Sequence, residues 1–136
     1  ILAETYYHSL AMLYDQNEAA FQIQKHTQTI QKLFGITPSV FRNTELIYSN
    51  DIANQAYTLG YKSIITEHVD RLFKQSKGKL FWSKNSKLQV ICRNHLLSDD
   101  IAFRFSDIKH PRYPVTVDSF YENLKKVALQ EEIIPI

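Results

Sequence analysis

One short segment of this sequence brings together side chains that can do covalent chemistry. Residues 40–48 read Val-Phe-Arg-Asn-Thr-Glu-Leu-Ile-Tyr, with an apolar start that is typical of a strand. Glu45, just beyond that strand, could act as a nucleophile, with Arg42 keeping it ionised and Asn43 donating a hydrogen bond to it or to a bound hydroxyl group. A structural Arg–Glu ion pair at a sheet edge explains the same residues, and spacing alone leaves both interpretations open.

The elements that must position this segment alternate between helices and strands. A helix is predicted from a cap at Asn17 to a stop at Gly35, because apolar residues recur between them at helical spacing. Similar signals predict a helix from Asn50 to Gly60 and another that begins at Thr116 or Asp118. Short apolar strands are predicted at residues 1–3, 40–41, 63–66 and 88–92. This alternation predicts an α/β fold built from parallel β/α units.

A polar residue follows each predicted strand, at the sheet edge where α/β proteins bind ligands. These residues are Glu4, Glu45, Glu67 and Asn94. Weaker signals predict a helical turn around Val69, Leu72 and Phe73, an exposed loop over residues 75–87, a helix cap at Ser98 and Asp99, and a final strand over residues 133–136.

Composition excludes several classes of protein. Hydrophobic residues make up 44% and charged residues 22% of the 136 residues, and the net charge is +2, which does not favour a nucleic-acid partner. There is no Gly-rich phosphate loop, no His or Cys spacing typical of a metal site and no run of 18 apolar residues, so we expect no cofactor, no metal and no membrane partner. The single cysteine, Cys92, is predicted to be buried, which favours a reducing compartment and a cytoplasmic location.

Four stretches of the sequence carry a resemblance to a known family. The specific ones are Arg-Asn-Thr-Glu-Leu-Ile-Tyr at 42–48 and Ser-Asp-Asp-Ile-Ala-Phe-Arg-Phe at 98–105, and the others are Glu-Thr-Tyr-Tyr-His at 4–8 and Gly-Tyr-Lys at 60–62 with Ile-Thr-Glu at 65–67. In order and spacing the chain resembles the α-amylase-type branch of glycoside hydrolase family 57.

The resemblance implies an irregular seven-stranded (β/α) barrel that cleaves α-glucosidic bonds with retention of anomeric configuration. It implies that Glu45 is the nucleophile, that Tyr7 and His8 line the cleft, and that the partner is an α-glucan oligo- or polysaccharide. The family's first conserved stretch and its acid-bearing Asp have no match within residues 1–136. We therefore expect a partial barrel that lacks its start and its general acid, is inactive alone, and exposes apolar surface that favours self-association.

Other residues are candidates for holding sugar. Arg42 and Asn43 could contact hydroxyl groups, Trp82 could stack on a pyranose face from an exposed Lys-rich loop, and Asp100 could bind a hydroxyl. For His8 and Asp100, a purely structural role remains open, as packing does for the aromatic residues.

Two other functions fit parts of the sequence. A carbohydrate-binding or regulatory module would keep the cleft without turnover. A sugar deacetylase-like barrel needs an Asp/His/His metal triad, and the five unpaired histidines argue against it.

Overall fold

The computed structural model describes residues 1–68, 80–84 and 86–129. Three predicted segments lie wholly or partly outside these residues. They are the helical turn at Val69, Leu72 and Phe73, the strand at 133–136 and part of the loop at 75–87. Contacts divide the chain into two units, and each is described by itself. The N-terminal unit is Ile1–Thr66 with Phe81–Ile91, and the C-terminal unit comprises the remaining described residues, 67, 68, 80 and 92–129.

The described part of the chain contains both helices and strands, as an α/β fold requires. The strands are β1 (Val40–Arg42), β2 (Ser63–Thr66), β3 (Leu80–Trp82) and β4 (Gln89–Cys92). The helices are α1 (Ala11–Tyr14), α2 (Gln16–Phe34), α3 (Asn50–Thr58), α4 (His95–Asp99) and α5 (Val117–Ala128), with a 3₁₀ turn at Thr44–Leu46 and a π-helical turn at Asp100–Arg104.

The four strands form one mostly parallel sheet in the order β1-β2-β4-β3. β1 and β2 run parallel with Phe41 opposite Ile64, and Ala3 adds a parallel bridge beside Phe41. The start of β4 lies beside the start of β2, since the Gln89 N–H donates to the Lys62 carbonyl over 3.0 Å. β3 was not predicted as a strand, because the sequence indicated a loop there. Trp82 instead ends a strand, and in the connection from β3 to β4 the Ser83 N–H donates to the Leu88 carbonyl.

The core of the N-terminal unit lies between the sheet and its helices. Phe41 and Ile64 are fully buried, and Ile23 of α2 and Ala53 of α3 pack in the same cluster. Each large side chain contributes roughly 1.5–3 kcal/mol by leaving water. The core therefore fixes the positions of the carboxyl ends of β1 and β2.

The helix caps differ in detail from those predicted. Asp15, not Asn17, caps α2 by accepting from the N–H groups of Asn17 and Glu18, whereas Gly35 ends the helix in the left-handed conformation as predicted. Ser49, not Asn50, caps α3. Thr116 caps α5 with a reciprocal bond to Ser119 as predicted, although no residue of that helix is buried among the described residues.

Candidate active site

The backbone at Glu45 has an uncommon conformation. Glu45 and Leu46 have φ values of 54° and 55°, and His8 has a φ of 52°; they are the described non-glycine residues with positive φ. A side chain in this region costs about 1–3 kcal/mol, and such residues cluster at functional sites. Positive φ values therefore fall on Glu45 and His8, two of the three residues that the resemblance assigns to the cleft.

Neutral hydrogen bonds hold the turn that carries Glu45. The Thr44 hydroxyl lies 2.9 Å from that of Thr5, both buried, and the Thr66 hydroxyl at the end of β2 donates to the Leu46 carbonyl over 2.9 Å. The Asn43 amide nitrogen donates to the Ile47 carbonyl over 3.0 Å. These bonds surround Glu45 on both sides and fix its backbone without using its carboxylate.

A second loop, residues 5–9, presents His8. The Thr5 hydroxyl accepts from the Ser9 N–H over 3.0 Å, and the His8 N–H donates to the Thr5 carbonyl over 2.9 Å. Gln22 of α2 anchors the loop by accepting from the Ser9 hydroxyl over 2.8 Å. The loop is therefore tied both to α2 and, through Thr5, to the turn at Thr44.

His8 lies between two carboxylates at the carboxyl end of β1. Its Nε2 is 3.5 Å from Glu45 Oε1, and its Nδ1 is 3.4 Å from Glu4 Oε2. The predicted common edge for Glu45, His8 and Arg42 is thus observed. The predicted Arg42–Glu45 pair is wrong: Arg42 donates to Glu4 over 3.1 Å, because the left-handed turn directs Glu45 towards His8.

The carboxylate of Glu45 is open to solvent. Its side chain is 72% exposed and that of His8 is 52% exposed. An exposed carboxylate on a rigid backbone can attack an electrophilic carbon, and the imidazole beside it can hold the carboxylate or donate to a ligand hydroxyl. This arrangement supports covalent chemistry by Glu45 and also explains why the residue needs a braced turn.

Tyr7 lies in an aromatic and cationic cluster beside His8. The ring of Tyr7 packs edge-on against Tyr6 at 5.0 Å, and Lys25 of α2 donates to the Tyr7 hydroxyl over 2.6 Å. That hydrogen bond raises the pKa of Lys25 above its usual value. Tyr7 remains 59% exposed, so its ring is available to a ligand. Sequence spacing gave no signal for Lys25, which comes from another element.

Asn43 does not face the open side of the site. It is 1% exposed and its amide nitrogen is used by the Ile47 carbonyl, while its Oδ1 is buried without a hydrogen-bond partner. This burial and hydrogen bond give Asn43 a structural role, and its contact with substrate stays a prediction. Asn43 shapes the turn that carries Glu45.

Trp82 lies at the other edge of the sheet. It ends β3 beside the starts of β2 and β4, whereas Glu45 and His8 lie beyond the end of β1. The prediction of an exposed ring is confirmed, because Trp82 is 64% exposed. The structure does not bring Trp82 close to Glu45. Because β3 runs antiparallel to β4, its carboxyl end lies beside the amino ends of the parallel strands.

The C-terminal unit uses its carboxylates in ion pairs. Asp100 is buried and accepts from Arg104 over 3.1 Å and from Arg112 over 2.6 Å. The same pattern continues along the unit, with the pairs Glu67–Arg93 at 2.6 Å, Asp99–Arg93 at 3.8 Å and Asp99–Arg104 at 3.5 Å. The structural role, which is the alternative for Asp100, is therefore observed, and its contact with sugar stays a prediction.

Two local predictions in the C-terminal unit have different outcomes. Asn94, not Ser98 or Asp99, caps α4 by accepting from the Leu97 N–H. Cys92 is buried as predicted, and burial, with a smaller contribution from Glu67, raises the pKa of its thiol to about 11.

The described residues contain neither a candidate metal site nor a candidate membrane span. No three of their His, Cys, Asp or Glu side chains are grouped as metal ligands. None of their helices combines the length and apolar character needed to span a bilayer.

Comparison with known proteins places these residues in a family. The whole chain, residues 1–136, matches the sequence family described as Glycosyl hydrolase family 57. The chain belongs to glycosyl hydrolase family 57. A curated protein of Methanocaldococcus jannaschii, named "Putative alpha-amylase", is 39% identical over 121 residues, which are 88% of this chain and 26% of that protein.

A solved structure shows the same fold. It is the crystal structure of a 4-alpha-glucanotransferase from Thermococcus litoralis, which superposes with a TM-score of 0.72 over 99% of this chain at 17% identity. The chain therefore has the fold of a segment of that protein. It spans 21% of the length of the solved chain and about a quarter of the curated relative.

Proposed function

We propose that this chain carries the nucleophile of a retaining glycoside hydrolase that acts on α-glucans, and that the nucleophile is Glu45. One observation carries the proposal: a braced left-handed turn holds the exposed Glu45 carboxylate 3.5 Å from His8. Membership of family 57 and the names of the two relatives support the substrate class.

The chemistry follows from a carboxylate in this position. In the first step a Glu45 oxygen attacks the anomeric carbon, and the bond from that carbon to the leaving oxygen breaks as an acid protonates it. In the second step a water molecule, deprotonated by the same acid residue, displaces Glu45 and restores the carboxylate. Two inversions at one carbon give net retention.

The neighbours of Glu45 serve as positioning groups in this scheme. His8 contacts Glu45 and can donate to a sugar hydroxyl, while the Glu4–Arg42 pair fixes His8 from its other nitrogen. The exposed ring of Tyr7 provides an apolar plate for a pyranose face. These side chains orient the sugar ring so that the anomeric carbon meets the Glu45 oxygen.

The general acid is assigned to a residue outside this chain. A retaining pair needs carboxyl groups about 5–5.5 Å apart. Within the N-terminal unit, Glu4 is the carboxylate that shares His8 with Glu45, and it is engaged by Arg42. In line with the resemblance, we expect the acid to be an Asp beyond residue 136, and the chain covers only about a quarter of its curated relative.

The test is covalent trapping in the full polypeptide that contains this chain. A mechanism-based α-glucosyl fluorosugar should inactivate it, and peptide mapping should find the label on Glu45. Glu45→Gln should abolish both labelling and turnover, whereas the control Asp51→Asn, an exposed carboxylate at the start of α3, should change neither.

Each alternative has its own result. A label on Glu4 or on another carboxylate would overturn the assignment of the nucleophile. Binding of α-glucan without labelling or turnover by the wild-type polypeptide would instead indicate a carbohydrate-binding module.

A further inference from the structure

A second concave surface of the N-terminal unit lies at the sheet edge opposite Glu45. It is an open cleft of about 470 Å³ at the starts of β2 and β4. Residues from three elements line it, including Tyr57 of α3, Trp82 of β3 and Gln89 of β4, with Lys62 and Lys87 on the adjoining connections. The active-site residues described above do not line this cleft, so it needs an explanation of its own.

Two aromatic rings are exposed along this cleft. Trp82 is 64% exposed and Tyr57 is 46% exposed. Single exposed rings are common, but a patch of apolar surface with polar groups around it often marks a binding surface. Tyr61, by contrast, is buried and its hydroxyl lies 2.7 Å from that of Thr27, so it forms part of the floor.

The polar groups of the cleft favour a ligand rich in hydroxyl oxygens. Lys62 and Lys87 are exposed donors. Gln89 is oriented by the Ser63 hydroxyl, which donates to its Oε1 over 3.1 Å, and this leaves the amide nitrogen as a further donor. No carboxylate of the described residues lines the cleft, so nothing there opposes a ligand that accepts hydrogen bonds.

We propose that this cleft is a second carbohydrate site, which holds an α-glucan chain on Trp82 and Tyr57 while Glu45 acts elsewhere on the polymer. The saturated C–H face of a glucose ring suits an aromatic plate, and its hydroxyls suit the lysine and glutamine donors. The choice of an α-glucan rests on the proposed function. Engaging one polymer at two places raises the effective concentration of the substrate at the catalytic edge.

The experiment measures maltoheptaose binding to the full polypeptide in a Glu45→Gln background, where turnover is removed. Calorimetric titration should find two classes of site. Adding Trp82→Ala should weaken one class about tenfold or more, as expected for the loss of a stacked ring. The conservative Trp82→Tyr should retain most of that affinity.

Fluorescence gives an independent measurement, because Trp82 is the one tryptophan of these 136 residues. The fluorescence of Trp82 is the difference in emission between the protein and its Trp82→Phe variant. This difference should change and then saturate as maltoheptaose is added, and it should not change with cellohexaose. An unchanged Trp82 emission, or equal affinity in the Trp82→Ala variant, would overturn the proposal. A response to inorganic phosphate in place of maltoheptaose would show an anion site and would overturn it as well.

These outcomes can be separated from the test of the nucleophile. Trp82→Ala should leave fluorosugar labelling of Glu45 unchanged, since Trp82 lies at the other edge of the sheet. If the fluorosugar labels Glu45 but Trp82 does not respond to maltoheptaose, only the second site is wrong. If Trp82 responds but Glu45 is not labelled, only the assigned nucleophile is wrong.

Discussion

Two carboxylates of this chain, Glu45 in the N-terminal unit and Asp100 in the C-terminal unit, are held in opposite ways. In the N-terminal unit, neutral hydrogen bonds from Thr5 and Thr66 brace the turn, and the Glu45 side chain stays 72% exposed. In the C-terminal unit, the Asp100 side chain is 2% exposed and two arginines bind it. A reactive carboxylate needs a rigid backbone and a free head group, whereas a structural carboxylate needs bound partners. Glu45 and Asp100 carry the same type of group, and they differ in how exposed it is and in how many arginines bind it.

Removing the carboxylate of Glu45 tests the first half of this comparison and has the largest expected effect. Glu45→Gln in the full polypeptide should lower kcat by a factor on the order of 10⁴ or more, because the proposed nucleophile is lost. The midpoint of chemical denaturation should hardly change, since the side chain is exposed. Loss of stability comparable to the loss of activity would show that Glu45 is structural.

Removing the carboxylate of Asp100 tests the second half. Asp100→Ala should lower the free energy of unfolding by roughly 3 kcal/mol, because Arg104 and Arg112 lose a buried partner. The matched control is Glu122→Gln, which breaks an exposed pair with Lys125 and should cost at most about 0.5 kcal/mol. Equal effects of the two substitutions in urea denaturation would contradict the contrast between units.

Loosening the turn while leaving its carboxylate intact sharpens the comparison further. Thr44→Val keeps the side-chain shape but removes the hydroxyl that meets Thr5, and should cost about 1–2 kcal/mol of stability. Because Glu45 is then held less rigidly, kcat should fall about tenfold with KM little changed. Thr58→Val, which removes an exposed hydroxyl bonded to Asn54, is the control and should change neither.

The smallest effect concerns Cys92, whose pKa burial raises to about 11. Burial disfavours the thiolate, so the folded protein should react slowly with a thiol reagent at pH 8, and the urea-unfolded chain should react fast. Because the folded pKa lies above the unfolded one, this thiol's contribution to stability is present at neutral pH and is lost as pH rises from about 9 towards 11. Rapid labelling of the folded protein at pH 8 would show that Cys92 is accessible.

Much of the fold could be predicted because its signals are local. The spacing of apolar residues along α2 and the left-handed stop at Gly35 lie within one helix, and β2 reads as a short apolar run. β3 could not be recognised because polar and lysine-rich residues surround three strand residues, and its pairing depends on β4. The caps of α2 and α3 were misplaced by one or two residues because several polar residues compete near Asp15 and Ser49.

The site was only partly predictable, for a physical reason. Glu45 and His8 stood out by type and motif, but the partner of Arg42 depends on a turn whose φ the sequence does not reveal. Glu4 reaches Arg42 from 38 positions earlier in the chain, and such distant pairing leaves no local pattern. The position of Trp82 beside the starts of β2 and β4 could not be predicted for the same reason, because the direction of β3 depends on its pairing with β4.

The hydroxyl pair of Thr5 and Thr44 also bears on the order of events during folding. These residues are 39 positions apart, whereas the Asp100–Arg104 pair spans one helical turn. The loop between the two threonines must close before their bond forms, so the turn at Glu45 is completed only after the N-terminal segment has joined β1. We therefore expect Thr44→Val to speed unfolding and leave the folding rate nearly unchanged, which stopped-flow kinetics can check. The proposed nucleophile, Glu45, would then acquire its left-handed backbone geometry among the last steps of folding, after the core that supports it has formed.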